Sequence, residues 1–192
     1  MNKPNIPLTK DTIDSDDLKI ISDWLLETPR LTKGEVTILF EKAWAEWTGT
    51  KFAVMVNSGS SANLLAVACL DIEKGSEIIT PACTFSTTLA PILQLGHKPV
   101  FCDVILNAYV PTVEAIIERI TDKTKAIMIP NLIGNKPDWA GLRAKLIEIE
   151  REDIYLIEDS CDTMSSTQET DIASTSFYAS HIITAGGSGG MV

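Results

Sequence analysis

Near the end of the 192-residue chain, the stretch SFYASHIITAGG places His181 between a strand-like segment and a glycine-rich turn. An imidazole with an unperturbed pKa of ~6.5 can take up and release a proton near neutral pH, so a histidine held at a strand tip is a candidate acid–base group. The plain alternative is a satisfied loop histidine. Three further stretches carry suggestive chemistry. In NSGSSANLLA, Gly59, Ser60 and Ser61 open a helix after an apolar run ending near Val56. Their N–H groups and hydroxyls, with the helix dipole, suit a phosphate, although an ordinary serine-rich cap has the same composition. The stretch matches neither GxGxxG nor GxxxxGK(S/T), which argues against a dinucleotide or P-loop site. In LIEDSCD, Glu158 and Asp159 close an apolar strand and Asp162 follows three residues on. A carboxylate there can hold a protonated ring nitrogen, and a helix-capping acidic cluster is the other reading. In TPACTFSTT, Phe85 offers either a flat ring for an aromatic ligand or simply a core side chain. The second histidine, His97 in QLGHKPV, reads as a surface turn residue.

These residues need a scaffold that brings strand ends together. Helical periodicity marks residues 14–27, with Asp14 or Ser15 as cap and Leu18, Ile21 and Leu25 on one face, and 34–49, with Phe40, Trp44 and Trp47 on one side and Gly49 as the stop. From there strands are predicted at 51–58, 76–81, 98–104, 125–130 and 154–159, and helices at 61–71, 84–96, 112–120 and 138–152. Such alternation predicts an α/β fold of three layers, a mostly parallel central sheet flanked by helices. In an open sheet of this kind ligands bind beyond the carboxyl ends of the strands, where the four stretches fall.

Composition narrows the function. Hydrophobic residues make up 45% of the chain, enough for a sizeable core. Sixteen Lys and Arg against 26 Asp and Glu give a net charge of −10, the wrong sign for a nucleic-acid binder. Cys69, Cys83, Cys102 and Cys161 show no CxxC spacing, which points away from a metal site or a disulfide framework. The N-terminal MNKPNIPLTKDTID lacks the apolar core of a secretion signal, and no apolar run approaches the ~20 residues of a membrane span. The expectation is a soluble, cytoplasmic protein without membrane or nucleic-acid partners.

A phosphate cradle, an aromatic platform and a ring-nitrogen carboxylate on successive strand ends resemble the pyridoxal-phosphate enzymes of fold type I. More closely, NSGSSANLLA, TPACTFSTT, IEDSCD and SFYASH resemble the DegT/StrS family of sugar aminotransferases and their relatives, from about Pro7 to the last residue. The resemblance implies that Gly59, Ser60, Ser61 and Ser176 hold a cofactor phosphate, that Phe85 stacks on the ring, and that Asp159 pairs with the pyridine nitrogen. It also places Asp162 where the aminotransferases carry a glutamine near the ring hydroxyl. Those enzymes write the later motif Ser-Phe-x-x-x-Lys, whereas here Ser176-Phe177 leads to His181. An imidazole has no primary amine and cannot tether the cofactor covalently. This replacement is similar to a branch of 3-dehydratases acting on nucleotide-linked 4-keto-6-deoxyhexoses. It implies non-covalent pyridoxamine phosphate (or pyridoxal phosphate), with His181 moving a proton at the cofactor's methylene carbon as the sugar loses its 3-hydroxyl. An aminotransferase using another lysine and a non-catalytic cofactor-binding module are the competing readings. Residues 1–192 are expected to form an incomplete cofactor-binding large domain, a fragment or truncated product without the small C-terminal domain. A homodimer or a partner chain would then complete it, and the final GGMV would leave a barely started strand and open surface.

Overall fold

The computed structural model describes residues 12–192. The first residues of the family resemblance and most of the N-terminal stretch lie outside that range. Five parallel strands form the body of one sheet: β2 (Glu77–Pro81), β3 (Lys98–Cys102), β4 (Thr124–Pro130), β5 (Tyr155–Asp159) and β6 (Ile172–Ser176). Two short strands complete it, β1 (Met55–Val56) and β7 (Gly190–Met191), in the order β1-β7-β6-β5-β4-β2-β3. β7 runs antiparallel to both of its neighbours.

The apolar runs read as strands because both of their faces are covered. Along β4, Ala126 and Met128 pack with Ile78 and Ile157 under helices α3 (Gly59–Ala68) and α4 (Ser86–Gln94). Ile127 and Ile129 point the other way, with Ile79 and Leu156, onto α5 (Val113–Ile117) and α6 (Trp139–Glu148). This period-two division of one strand between two cores is what a three-layer sandwich requires, and the expected α/β architecture is present. Among the described residues no helix is long and apolar enough to cross a membrane.

Several boundaries differ from the sequence expectation. The strand expected over 51–58 is only Met55–Val56, because β1 is a sheet edge whose one neighbour among the described residues, β7, is two residues long. Beyond the ladder, Val54 and Val192 still exchange N–H···O bonds of 2.7 and 3.0 Å. The short strand expected in GGMV is present as Gly190–Met191, and it lies inside the sheet, paired on both sides. Gly190 allows this close approach, since a Cβ there would run into the Ser58 carbonyl. The helix expected from Ser61 begins at Gly59, since the Ser58 hydroxyl caps it by accepting the Ser61 N–H at 3.1 Å. The helix over 112–120 is shortened to α5, capped by Thr112.

His97 is also corrected. Gly96 turns back at φ 82°, and the His97 N–H bonds the Ile92 carbonyl at 2.8 Å. The residue is thereby tucked in, 8% exposed, and Nδ1 has no hydrogen-bond partner among the described residues.

Helix α1 (Ser15–Leu26) is capped by Asp14 in a reciprocal capping box with Asp17, and α2 (Glu35–Thr48) ends at Gly49 in the left-handed region. Phe40 and Trp44 of α2 pack against the buried Phe177 ring, with centroids 5.4 and 5.2 Å away. The apolar stripe of α1, by contrast, is uncovered, with Leu18, Ile21 and Leu25 all exposed.

Leu142 sits fully buried between α6 and the sheet. Leu142→Ala should lower unfolding stability by about 2–5 kcal/mol, read as a shifted midpoint in urea denaturation with unchanged slope.

Candidate functional site

The carboxyl ends of β4, β5 and β6 open into a cleft of about 510 Å³. It is lined by Gly59, Ser60, Phe85, Asp159, Asp162, Ser176 and His181, together with Asn131, Cys161 and Tyr178. Ser61 is absent from the lining. Its N–H and hydroxyl both face the Ser58 hydroxyl at 3.1 Å, so it serves the cap of α3. The sequence reading therefore assembles in one place, with Ser61 a step behind the wall.

Asp159 ends β5 on the α3–α4 face and is 4% exposed. A buried carboxylate must be met by donors. Its Oδ2 accepts from Asn63 Nδ2 and Thr88 Oγ1, each at 2.8 Å, and Oδ1 accepts the Cys161 N–H at 3.2 Å. Asn63 is in turn held through its own oxygen by the Ser174 hydroxyl. The strand tip is thus tied to α3, α4 and β6 at once. Oδ1, with one long partner, keeps acceptor capacity for a further donor.

The first turn of α3 lies against β6. A Cβ on Gly59 would fall 2.6 Å from Ser176 Cβ and 2.9 Å from Cys161 Sγ, so only glycine lets the helix start come this close. The Ser176 hydroxyl accepts the Tyr178 N–H at 3.2 Å. Phe85 is the N-cap residue of α4 and stands 62% exposed on the cleft rim, not in the core.

On the opposite wall, Asp162 Oδ1 lies 3.5 Å from His181 Nδ1, an ion-pair separation longer than a good hydrogen bond. Asp162 Oδ2 accepts the Ile133 N–H at 2.9 Å, which anchors the carboxylate to the turn after β4. The His181 N–H closes a turn onto the Tyr178 carbonyl at 2.9 Å, and the Tyr178 ring stands edge-on to the imidazole at 6.4 Å. A carboxylate beside Nδ1 favours the proton there and leaves Nε2 to exchange one.

Sequence reasoning missed Asn63, Thr88 and Asn131. Asn63 carried a signal, as the one amide within the apolar helix SANLLAVA. Asn131 is 1% exposed, and its Nδ2 donates to Glu158 Oε1 at 2.6 Å and Thr163 Oγ1 at 2.8 Å. Its Oδ1 has no partner among the described residues. A glycine cradle at a helix start, a buried carboxylate with spare capacity and an orphaned amide oxygen fit a phosphorylated, ring-nitrogen cofactor carrying a hydroxyl.

The sheet order, the antiparallel β7 and the cleft at the strand ends define the PLP-dependent aminotransferase and dehydratase fold. The chain belongs to the DegT/DnrJ/EryC1/StrS aminotransferase family, which matches over residues 12–192. It is 38% identical over 194 residues to GDP-4-keto-6-deoxy-D-mannose 3-dehydratase of Escherichia coli O55:H7, covering 94% of this chain and 49% of that protein. It is also 38% identical to dTDP-4-dehydro-2,6-dideoxy-D-glucose 3-dehydratase of Saccharopolyspora spinosa, over 92% of this chain and 41% of that one. Among solved structures, E. coli GDP-4-keto-6-deoxy-D-mannose-3-dehydratase with bound hydrated PLP superposes with a TM-score of 0.85 at 36% identity, covering 98% of this chain and 51% of that one. The chain spans about half the length of the curated relatives it matches.

Burial, then the nearby Asp159 and Asp162 carboxylates, push the Cys161 thiol well above its ordinary pKa. Since the thiolate is the reactive form, Cys161 should be alkylated by iodoacetamide far more slowly than the exposed Cys69 and Cys83, with Asp159→Asn raising its rate. Peptide mapping of a mildly alkaline time course reads both.

Proposed function

We propose that this chain carries the cofactor-binding and proton-transfer portion of a 3-dehydratase acting on a nucleotide-linked 4-keto-6-deoxyhexose, with pyridoxamine 5'-phosphate, or its pyridoxal form, held without a covalent bond. The observation that carries this reading is an imidazole, His181, paired with Asp162 on the wall of a cleft that no lysine lines among the described residues. That argues against an aminotransferase working through another lysine. Lys51 lies in a different groove and Lys136 reaches toward Glu158 at 4.0 Å.

Each residue has a task in this reading. The start of α3, with the N–H groups of Gly59 and Ser60, and the Ser176 hydroxyl receive the phosphate. Asp159 accepts a hydrogen bond from the protonated ring nitrogen and keeps it protonated. Asn131 Oδ1 accepts the ring hydroxyl, and Phe85 covers one face. His181 takes a proton at Nε2 while Asp162 steadies the imidazolium. When bound, the cofactor supplies an amine that combines with a ketone and a ring that draws off electrons as the 3-hydroxyl departs.

The same reading places the chain in the cytoplasm, in line with four unpaired cysteines. It also calls for a partner, a second copy or another chain, over the apolar residues exposed on α1 and α2, among them Leu26, Ile38, Leu39 and Trp47.

Titration with pyridoxamine phosphate and pyridoxal phosphate should give reversible binding to the native chain. A borohydride-trapped covalent adduct should form only in His181→Lys, and an adduct in the native chain would reject the reading. Loss of a charge-assisted hydrogen bond in Asp159→Asn should weaken pyridoxamine phosphate about tenfold or more, measured by calorimetry.

A further inference from the structure

The second carboxylate at the end of β5 does not line the cleft. Glu158 is wholly buried on the α5–α6 face, opposite Asp159, and every hydrogen bond it makes is received from a donor. Oε1 accepts from Asn131 Nδ2 at 2.6 Å and Ser165 Oγ at 3.0 Å. Oε2 accepts the Thr167 N–H at 2.7 Å and the Thr170 hydroxyl at 3.5 Å, and Lys136 Nζ stands 4.0 Å from Oε1.

These donors come from two segments that never meet in sequence, and both hold Asp162. Asn131 begins the turn Leu132–Gly134 that presents the Ile133 N–H to Asp162 Oδ2. The Asn131 amide also grips Thr163, the residue next to Asp162, at 2.8 Å, and Thr163 contacts Ser165 at 3.0 Å. The far end of the 163–170 connection is clamped from α6, where Arg143 donates to the Glu169 carbonyl at 2.8 and 3.0 Å and to Asp171 at 2.8 Å. Glu158 is the point at which the turn and the connection are drawn together.

We propose that Glu158 is a positioning residue for the proton-transfer pair: by fixing the Asn131 amide and the 163–170 connection, it sets where Asp162 presents its carboxylate to His181. The inference rests on the reading of His181 as the proton-moving group. A glutamine at 158 keeps the shape but not the chemistry. Its NH2 must oppose either the Asn131 NH2 or the Thr167 N–H, a donor–donor conflict that only a flip or a shift of the gathered segments relieves.

The test is the tautomer of the neutral His181 ring, read by long-range 1H–15N correlation at alkaline pH in the labelled full chain, with resonances assigned by their loss in His181→Asn. The native ring should be mainly Nδ1–H, and Asp162→Asn should shift population to Nε2–H. Glu158→Gln, which does not touch the ring, should lower the Nδ1–H fraction by roughly half. Leu142→Ala, a destabilising change elsewhere, should leave it unmoved, which separates positioning from general loosening. If Glu158→Gln does not fold, Ser165→Ala combined with Thr170→Val weakens the same hub from the loop side and should shift the tautomer in the same direction. A native ratio in Glu158→Gln, or in the double variant used in its place, beside a changed ratio in Asp162→Asn overturns the inference. An unchanged ratio in Asp162→Asn overturns it as well, by removing the pair. Cofactor titration judges the dehydratase reading independently of either result.

Discussion

Two adjacent carboxylates close the central strand, and burying both is the constraint around which this end of the molecule is organised. A buried charge is tolerated only where donors replace the water it has lost. Because strand side chains alternate, Asp159 and Glu158 cannot share one set of donors. Asp159 draws Asn63 and Thr88 from the two helices on its face, which brings the start of α3 onto β6. Glu158 draws the turn after β4 and the connection to β6 on the other face. Of the cleft residues, Asn131 and Cys161 are bonded directly to one of these two carboxylates, and Asp162 is held through the turn and connection that Glu158 gathers.

Cys161 is set within the same arrangement. Its sulfur lies between the start of α3 and the strand tip, near enough to Gly59 that any side chain there would collide with it. Burial first, and then the neighbouring carboxylates, keep the thiol protonated. A potential nucleophile in the cleft wall is thereby disarmed, and the acid–base chemistry falls to the imidazole.

The parts of this arrangement that were legible in the sequence are those that strand ends impose. Apolar runs such as KAIMIP, filled on both faces, read as buried parallel strands, and the residues after them had to meet at one rim. Gly59, Ser60, Phe85, Asp159, Asp162, Ser176 and His181 do so. The partners were illegible because their roles depend on long-range pairing: Asn63 and Thr88 lie 96 and 71 residues from Asp159, in stretches that locally read as ordinary helix. β7 was legible only as the start of a strand in GGMV, for a different reason. Two residues, one of them glycine, carry no periodicity, and tertiary pairing alone makes them a strand. His97 was misplaced because a glycine turn looks alike whether it ends in solvent or folds back under a helix.

The placement of β7 between β1 and β6 bears on how the chain acquires its shape during synthesis. Among the described residues, β1 joins the sheet by hydrogen bonds only through β7. As the polypeptide leaves the ribosome, β2 to β6 can add to one another in order, while β1 waits for Gly190 to be made before it has a strand beside it. Of the described strands, the earliest made is therefore the last to gain a hydrogen-bonded neighbour.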